Sequence, residues 1–534
     1  MNLFHRIQLS RDRSITIANL VDELLRRRGD YEVSVGEDGP FHLSELLAKI
    51  CRIDSFLRHS VGLRPGEPVA IYCTNNRNYF HWFLAIIRAG GIAVPLNPQL
   101  SLSEVRRILA DSGTQVLVVD KAVFDRNIVD RGVLNVRAWI QDDEEAETMD
   151  GFVRVGDCGA PLPPAAIDPA TIVAVFHTSG TTGFPKGAAL SSRALLGARA
   201  STVFAGILLG SKDLALVALP WSHIMAVSIA LYGLMAGVRG CFLERFDVEN
   251  ALDLVERFRV TAFVGVPAML ARLVNSNPDP ARLASVRLWL SASDYLPGEV
   301  RDRLREFGAL LRLPGGRRIP PVILNGYGMV ELGGLAMMGI EMSLFPGNGQ
   351  LCVPVPPFRV RIADEYGRRV GAGKPGECQI RRRGTSPHYW NDKDKNNGLL
   401  TSDGWLRTGD LATRNHFGLI RIVGRIKDVI KSGGYSVYVR ELEETVLAHP
   451  EVVRAVAFGL PHTEKGEVPV AAVELYPGAP ATEDVLLAWC RQRLAAYKAP
   501  RRIWILETDS LPQTHNGKLM RSVLRERFAA DMKT

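Results

Sequence analysis

The chain reads as an α/β protein of several domains. Two α/β subdomains and a small β-barrel form a large N-terminal part, and a smaller α+β unit closes the chain. Three observations carry this reading. Apolar β-branched runs alternate with amphipathic helical stretches from about residue 15 to 340. Short alternating strands with glycine turns follow, from about 350 to 424. Residues 428–534 then compress helices and strands into one βαβ-type stretch. At 534 residues the chain exceeds one hydrophobic core, and a prior of about 150 residues per domain makes it three or four units.

Taken in order, residues 15 to 60 carry helical periodicity (Ile17, Leu20, Val21, Leu24, then Leu43, Leu46, Leu47, Ile50) around a polar, hairpin-like segment. Val69 to Cys73 is a buried strand and Tyr79 to Ala89 an apolar helix ended by Gly90-Gly91. Ile92 to Val94 is the next strand, stopped by Pro95 and Pro98. The charge run Gln141-Asp142-Asp143-Glu144-Glu145-Ala146-Glu147 reads as a solvated loop without a catalytic role. Gly156 to Pro164 is a connector. The most apolar window, Leu214 to Met235, is broken by Pro220, Ser222 and His223, which makes it strand, turn and helix rather than a membrane span.

Composition excludes several classes. Apolar residues at 46% and charged residues at 23% suit a soluble globular chain. The net charge of +8 is dispersed, without the concentrated basic patch that nucleic-acid binding needs. Seven scattered cysteines form no CxxC pair, which fits reduced thiols, a cytoplasmic setting and no structural zinc.

The chemistry centres on Thr178-Ser179-Gly180-Thr181-Thr182-Gly183-Phe184-Pro185-Lys186-Gly187, directly after the strand-like run from Thr171 to Phe176. Glycines let the backbone approach a ligand, while hydroxyls and a lysine donate to phosphate oxygens. The spacing is not that of the Gly-Lys-Ser/Thr loop of kinases and GTPases, so a phosphotransferase is disfavoured. Further on, Trp221-Ser222-His223 puts an imidazole at a strand-to-helix turn. Asn325 to Glu331 supplies an aromatic face at Tyr327 and a carboxylate at Glu331. Asp410 offers an acid suited to ribose hydroxyls, Gly424-Arg425 marks a junction, and Gly517-Lys518 places a lysine on a late turn.

In this order and spacing the motifs resemble the adenylate-forming superfamily of acyl-CoA synthetases, luciferase-like enzymes and peptide-synthetase adenylation domains, over about residues 15 to 525. The resemblance implies an N-terminal domain over 1–424 that binds ATP and acid, a hinge at 425–428 and a mobile C-terminal domain over 429–534. It implies ATP-dependent activation of a carboxylic acid to an acyl-adenylate, then transfer to a thiol. CoA is the first choice of acceptor. A carrier-protein phosphopantetheine, non-thioester activation (including nitrite) and a catalytically silent sensor are the alternatives.

The same resemblance gives Thr178, Ser179, Gly180, Thr181, Thr182, Gly183 and Lys186 the phosphates of ATP. Tyr327 takes adenine, Asp410 and Arg425 the ribose, and Glu331 Mg²⁺. Lys518 serves the first step, Lys427 the hinge, Lys431 with Gly433-Gly434 the second step, and His223 a gate. The acyl pocket is expected to be lined by Trp221, Val227, Val266, Ser293, Asp294 and Gly333, with Gly333-Gly334 opening room. Two departures stand out. Val330 replaces the family's threonine, removing a hydroxyl worth about 0.5–1.5 kcal/mol as a hydrogen bond. Ala292-Ser293-Asp294-Tyr295 replaces a small-residue turn, so Asp294 is expected either to select an amino- or hydroxy-bearing acid or to cap the helix near Pro297.

Overall fold

The computed structural model describes residues 3–36, 39–127, 134–142, 149–156, 160–178, 186–199, 208–341, 351–513 and 519–529. Within these, the first α/β sheet is parallel from Ile172–Thr178 through Ile92–Pro95, Pro68–Tyr72, Val116–Val119 and Ala138–Gln141 to Val153–Arg154. These runs are Val/Ile/Ala-rich because helices cover both faces and leave no polar side. On one side the helices Leu43–His59 and Arg77–Arg88 pack together. On the other lies Leu102–Ser112, whose Ser101–Glu104 capping box and left-handed Gly113 fix its two ends.

The second sheet has a parallel core of Arg239–Phe242, Leu214–Val217, Ala262–Gly265, Leu288–Ala292 and Val322–Met329. The polar hairpin anticipated near residue 35, Glu32–Gly36 with Gly39–His42, adds itself to this sheet's edge rather than to the nearer first sheet. Gly334–Glu341 turns back antiparallel on Val322–Met329, and Leu351–Pro354 follows it. That last strand also pairs with Ile420–Arg425. The barrel-like strands from Leu351 to Arg425 therefore continue the second sheet instead of forming a detached unit.

Among the described residues the closing unit carries five strands. A hairpin, Ile430–Ser432 with Tyr435–Val437, joins the long antiparallel pair Val452–His462 and Gly466–Leu475. The βαβ element is Gly466–Leu475, helix Glu483–Arg493 and the parallel strand Ile503–Leu506. Among the described residues no helix is long and apolar enough to cross a membrane. The six described cysteines are free and buried.

The reading of the acidic run as solvent-facing fails at its start. Gln141 and Asp142 are buried, and Asp142 accepts a hydrogen bond from the Trp82 indole at 2.6 Å. A carboxylate following the buried strand Ala138–Gln141 finds its donor on the neighbouring helix. The rest of the run, 143–148, lies outside the described residues.

On that same helix His81 is buried and stacked on Phe41. Burial, then the charges of Lys49 and Arg77, pull its pKa from 6.5 down to about 3. Between these values the unfolded chain holds a proton that the folded chain lacks, so stability falls as pH falls from 6.5 and the contribution is whole above 6.5. We expect His81→Gln to flatten the loss of stability between pH 6.5 and 4 by up to about 1.4 kcal/mol per pH unit, read from urea midpoints of both proteins.

Candidate active site

The phosphate-type loop spans the turn between strands Ile172–Thr178 and Lys186–Ser191. Its interior, Ser179, Gly180, Thr181, Thr182 and Gly183 included, lies outside the described residues. Its two ends are pinned: Thr178 pairs with Lys186 across the ladder, and the Thr178 hydroxyl donates to the Lys186 carbonyl at 3.4 Å. The loop therefore leaves the carboxyl end of a parallel strand, where open α/β sheets bind ligands.

A short strand that sequence reasoning missed, His388–Tyr389, lies along Lys186–Ser191 with Tyr389 opposite Ala188. It places the Tyr389 ring 5.3 Å from the Lys186 ammonium, and the Tyr389 hydroxyl donates to Glu331 Oε1 at 2.7 Å. Burial and the Glu331 charge push the phenol's pKa up, so it remains a donor. The available signal was the aromatic pair Tyr389-Trp390 in an otherwise polar segment. Glu331 itself stands on a single helical turn, Val330–Leu332, and is buried.

The nucleoside-type residues converge from two parts of the second sheet. A bulge between Tyr327 and Gly328 re-aims the Tyr327 ring. Its hydroxyl donates to Asp410 Oδ2 at 2.5 Å. Asp410 faces Arg425 directly across strands Leu406–Arg414 and Ile420–Arg425, with Nε to Oδ1 at 3.0 Å. Burial and the Asp410 charge hold the Tyr327 phenol well above its ordinary pKa, so it too stays protonated. Gly328 is obligatory here, because a Cβ would lie 2.1 Å from the Gly334 carbonyl oxygen.

On the acyl side His223 caps the helix Ile224–Ala236, its Nδ1 accepting from the Met225 amide at 3.2 Å. That bond puts the proton of the neutral ring on Nε2. Ser293 follows strand Leu288–Ala292 with φ 77°, and its hydroxyl contacts Met225 Sδ at 3.5 Å. Val266 is half-buried ahead of the helix Pro267–Asn275.

Three residues expected to line the pocket are placed otherwise. Trp221 is buried in an aromatic stack, its centroid 4.9 Å from Phe80 and 4.7 Å from Phe242, with its amide held by Asn75. Gly333 does not open room: a Cβ there would lie 2.4 Å from the Ala194 carbonyl oxygen, so the missing side chain admits backbone. Asp294 is exposed, accepts from the Tyr295 amide at 2.8 Å and acts electrostatically on Glu443 and Arg521 of the closing unit. It caps no helix, since Gly298–Leu304 begins after Pro297 without a side-chain cap. Val227 is likewise fully buried on its helix.

The closing unit is docked on this region. Arg440 lies 4.1 Å over the Tyr295 ring and donates to the Ile422 carbonyl, while Glu444 pairs with Arg421 at 3.0 Å. Arg521 binds Glu443 at 2.6 Å and lies 3.7 Å from Asp428. Lys427 is exposed on the turn Ile426–Asp428. Lys431 is exposed and donates to the Ser436 hydroxyl at 2.8 Å. Lys518 lies outside the described residues.

A phosphate-type loop, a tyrosine–aspartate–arginine cluster and a buried glutamate at the edge of two α/β sheets define a nucleotide-dependent ligase of the adenylate-forming class. The chain belongs to the AMP-binding enzyme family: that family's model matches residues 21–390 and its C-terminal domain model matches 441–518. It is 31% identical to a feruloyl-CoA synthase from Amycolatopsis sp over 91% of this chain and 93% of the relative. It is 29% identical to a long-chain-fatty-acid–CoA ligase from Yersinia pestis, over 97% and 95% respectively. Among solved structures, ATP-bound MatB from Rhodopseudomonas palustris matches with a TM-score of 0.83 at 27% identity, covering 97% of this chain and all of that one. MenE from Bacillus subtilis with its acyl-adenylate OSB-AMP matches with a TM-score of 0.79 at 26% identity, covering 95% and 98%. The protein is an AMP-forming acid:thiol ligase, which activates a carboxylic acid with ATP and forms a CoA thioester.

The packing at Gly333 gives a direct test. Its φ of 78° and the Ala194 contact together disfavour any side chain. Gly333→Ala is expected to lower stability by about 2–4 kcal/mol, measured by chemical denaturation.

Proposed function

We propose that the acid is an arylalkenoic acid of the hydroxycinnamate type. The observation that carries the reading is the position of Asp294. The charged residue of the turn is exposed, bonds to its neighbour's amide and lies within electrostatic reach of Arg521 and Glu443, while Met225, Val266, Ala292 and Val330, all packed on one apolar cluster, supply the acyl wall. An apolar wall suits a planar ring and an unsaturated chain. The feruloyl-CoA synthase relative and the 4-coumarate–CoA ligases from Narcissus pseudonarcissus (27%) and Oryza sativa (30%) support the same class.

In the first step the carboxylate oxygen attacks the α-phosphorus, the bond to the bridging oxygen breaks, and pyrophosphate leaves. In the second, the CoA thiol attacks the acyl carbon and AMP leaves. No enzyme nucleophile is needed, so this chain contributes position and charge. Lys186 and the hydroxyls of Thr178, Ser179, Thr181 and Thr182 hold the β- and γ-phosphates. Tyr327 offers its ring face to adenine, and Asp410, steadied by Arg425, accepts the ribose hydroxyls.

Glu331 fits Mg²⁺. It is a hard oxygen donor whose Oε1 is already oriented by Tyr389. Bound there, the ion would neutralise phosphate charge. Lys518 bridges the carboxylate and the α-phosphate in the first step only. For the second step the closing unit turns about Lys427, releasing the Arg440–Tyr295 and Arg421–Glu444 contacts. The turn brings Lys431 and Gly433-Gly434 to the site, with His223 gating the acyl side.

The reading is tested by ATP–pyrophosphate exchange with ferulate, 4-coumarate, benzoate, octanoate and palmitate. Exchange is expected fastest with the two hydroxycinnamates, and a clear preference for palmitate would overturn the choice of acid. Lys518→Ala is expected to abolish exchange while sparing CoA thioester formation from preformed acyl-AMP. Equal loss of both would contradict its assignment to the first step.

A further inference from the structure

Of the residues that stand where a small-residue turn is expected, Tyr295 contacts the closing unit and Asp294 comes within electrostatic reach of it. The Arg440 guanidinium lies 4.1 Å over the Tyr295 ring, within the range of an attractive cation–π contact. Arg440 stands in the first turn of the helix Val439–Leu447 and also donates to the Ile422 carbonyl at 2.8 Å. On the same helix Glu444 accepts from Arg440 Nε at 3.2 Å and pairs with Arg421 at 3.0 Å. The helix Gly298–Leu304, which follows the turn, carries a second contact: its Glu299 and Arg303 act electrostatically on Tyr476 of the closing unit.

These contacts join two bodies. Tyr295, Glu299, Arg303, Arg421 and Ile422 precede the hinge, whereas Arg440, Glu444 and Tyr476 follow it. A turn about Lys427 separates the two sets, so the contacts belong to one orientation and not to the other. An equilibrium between two orientations is displaced by the free energy of the contacts that only one of them makes. The orientation seen here suits the first step, on the reading of Lys518 and Lys431 given above. Arg521, three residues after Lys518, is within electrostatic reach of Asp294, while Lys431 is bonded to Ser436 of its own hairpin. A ring face holds a guanidinium without burying an unpaired charge, so such a contact can be made and broken in each turnover.

We propose that Tyr295 is a positioning residue for adenylate formation: its ring seats Arg440 and thereby holds the closing unit in the first-step orientation, and release of that seat belongs to the passage to thioester formation. The larger side chain at this position of the turn then serves the alternation of the two bodies. Choice of the acid is left to the apolar wall of Met225, Val266, Ala292 and Val330.

The test compares the two half-reactions in the full-length protein: ATP–pyrophosphate exchange, and CoA thioester formation from preformed acyl-AMP. Tyr295→Leu is expected to slow exchange about three- to tenfold while thioester formation is unchanged or faster. Tyr295→Phe keeps the ring face and is expected to behave as wild type. Because Tyr295 is half-buried, Arg440→Gln repeats the test from the facing helix, and the double variant Tyr295→Leu/Arg440→Gln is expected to lose no more than either single one. The ratio of exchange with ferulate to exchange with octanoate is expected to stay constant throughout. Equal loss of both half-reactions, a loss in Tyr295→Phe as large as in Tyr295→Leu, losses that multiply in the double variant, or a changed acid ratio would overturn the proposal. Lys518→Ala, run alongside, separates this from the reading beneath it. Exchange that survives Lys518→Ala would remove the step assignment and the proposal with it, whereas exchange lost there but untouched in the Tyr295 and Arg440 variants would remove the proposal alone.

Discussion

One short strand holds the catalytic half of the molecule together. Leu351–Pro354 satisfies its backbone on both edges, with Gly334–Glu341 on one side and Ile420–Arg425 on the other. Without it, each of those neighbours would present an unpaired edge, which buried sheet does not tolerate. The pairing carries the strands of Asp410 and Arg425 against the strand pair that bears Tyr327. The Tyr327–Asp410 hydrogen bond spans 83 positions of sequence. It can form only because the barrel-like strands extend the second sheet.

A second constraint acts through absent side chains. A Cβ on Gly328 or Gly333 would lie 2.1 or 2.4 Å from a backbone carbonyl oxygen, so the turn bearing Glu331 is clamped between the central sheet and the segment from Ser192 to Leu195. The clamp aims the Glu331 carboxylate at Tyr389 and, through that ring, at Lys186. The Lys186 ammonium and the Glu331 carboxylate are thus both set against one tyrosine by packing rather than by direct pairing. The arrangement leaves the charges available to a ligand.

The docking of the closing unit uses contacts suited to being broken. Arg440 on Tyr295 and Arg421 with Glu444 are partly exposed interactions, and exposed pairs of this kind are worth about 0–1 kcal/mol each. The buried hydrophobic clusters of the closing unit are its own, centred on residues such as Val456, Phe458 and Val473. A body with its own core and a polar contact surface can turn without unfolding.

Periodicity and motif spacing made most of the elements legible. The alternation of strands and helices, the strand–turn–helix around Pro220, and the order of the phosphate, tyrosine, aspartate and late lysine motifs are local properties, set by side-chain pattern and turn chemistry over a few residues. The sequence by itself therefore determined the class of the protein and the type of its chemistry. Tertiary structure alone decided the rest. Trp221 proved to be core because Phe80 and Phe242 meet it from distant segments. Asp294 comes within electrostatic reach of Glu443 and Arg521 because the closing unit docks there. Tyr389 joins the site because its strand lies along Lys186–Ser191, and Asp142 is buried because Trp82 stands above it. Which face of a residue is covered depends on partners far along the chain, and no local pattern records them.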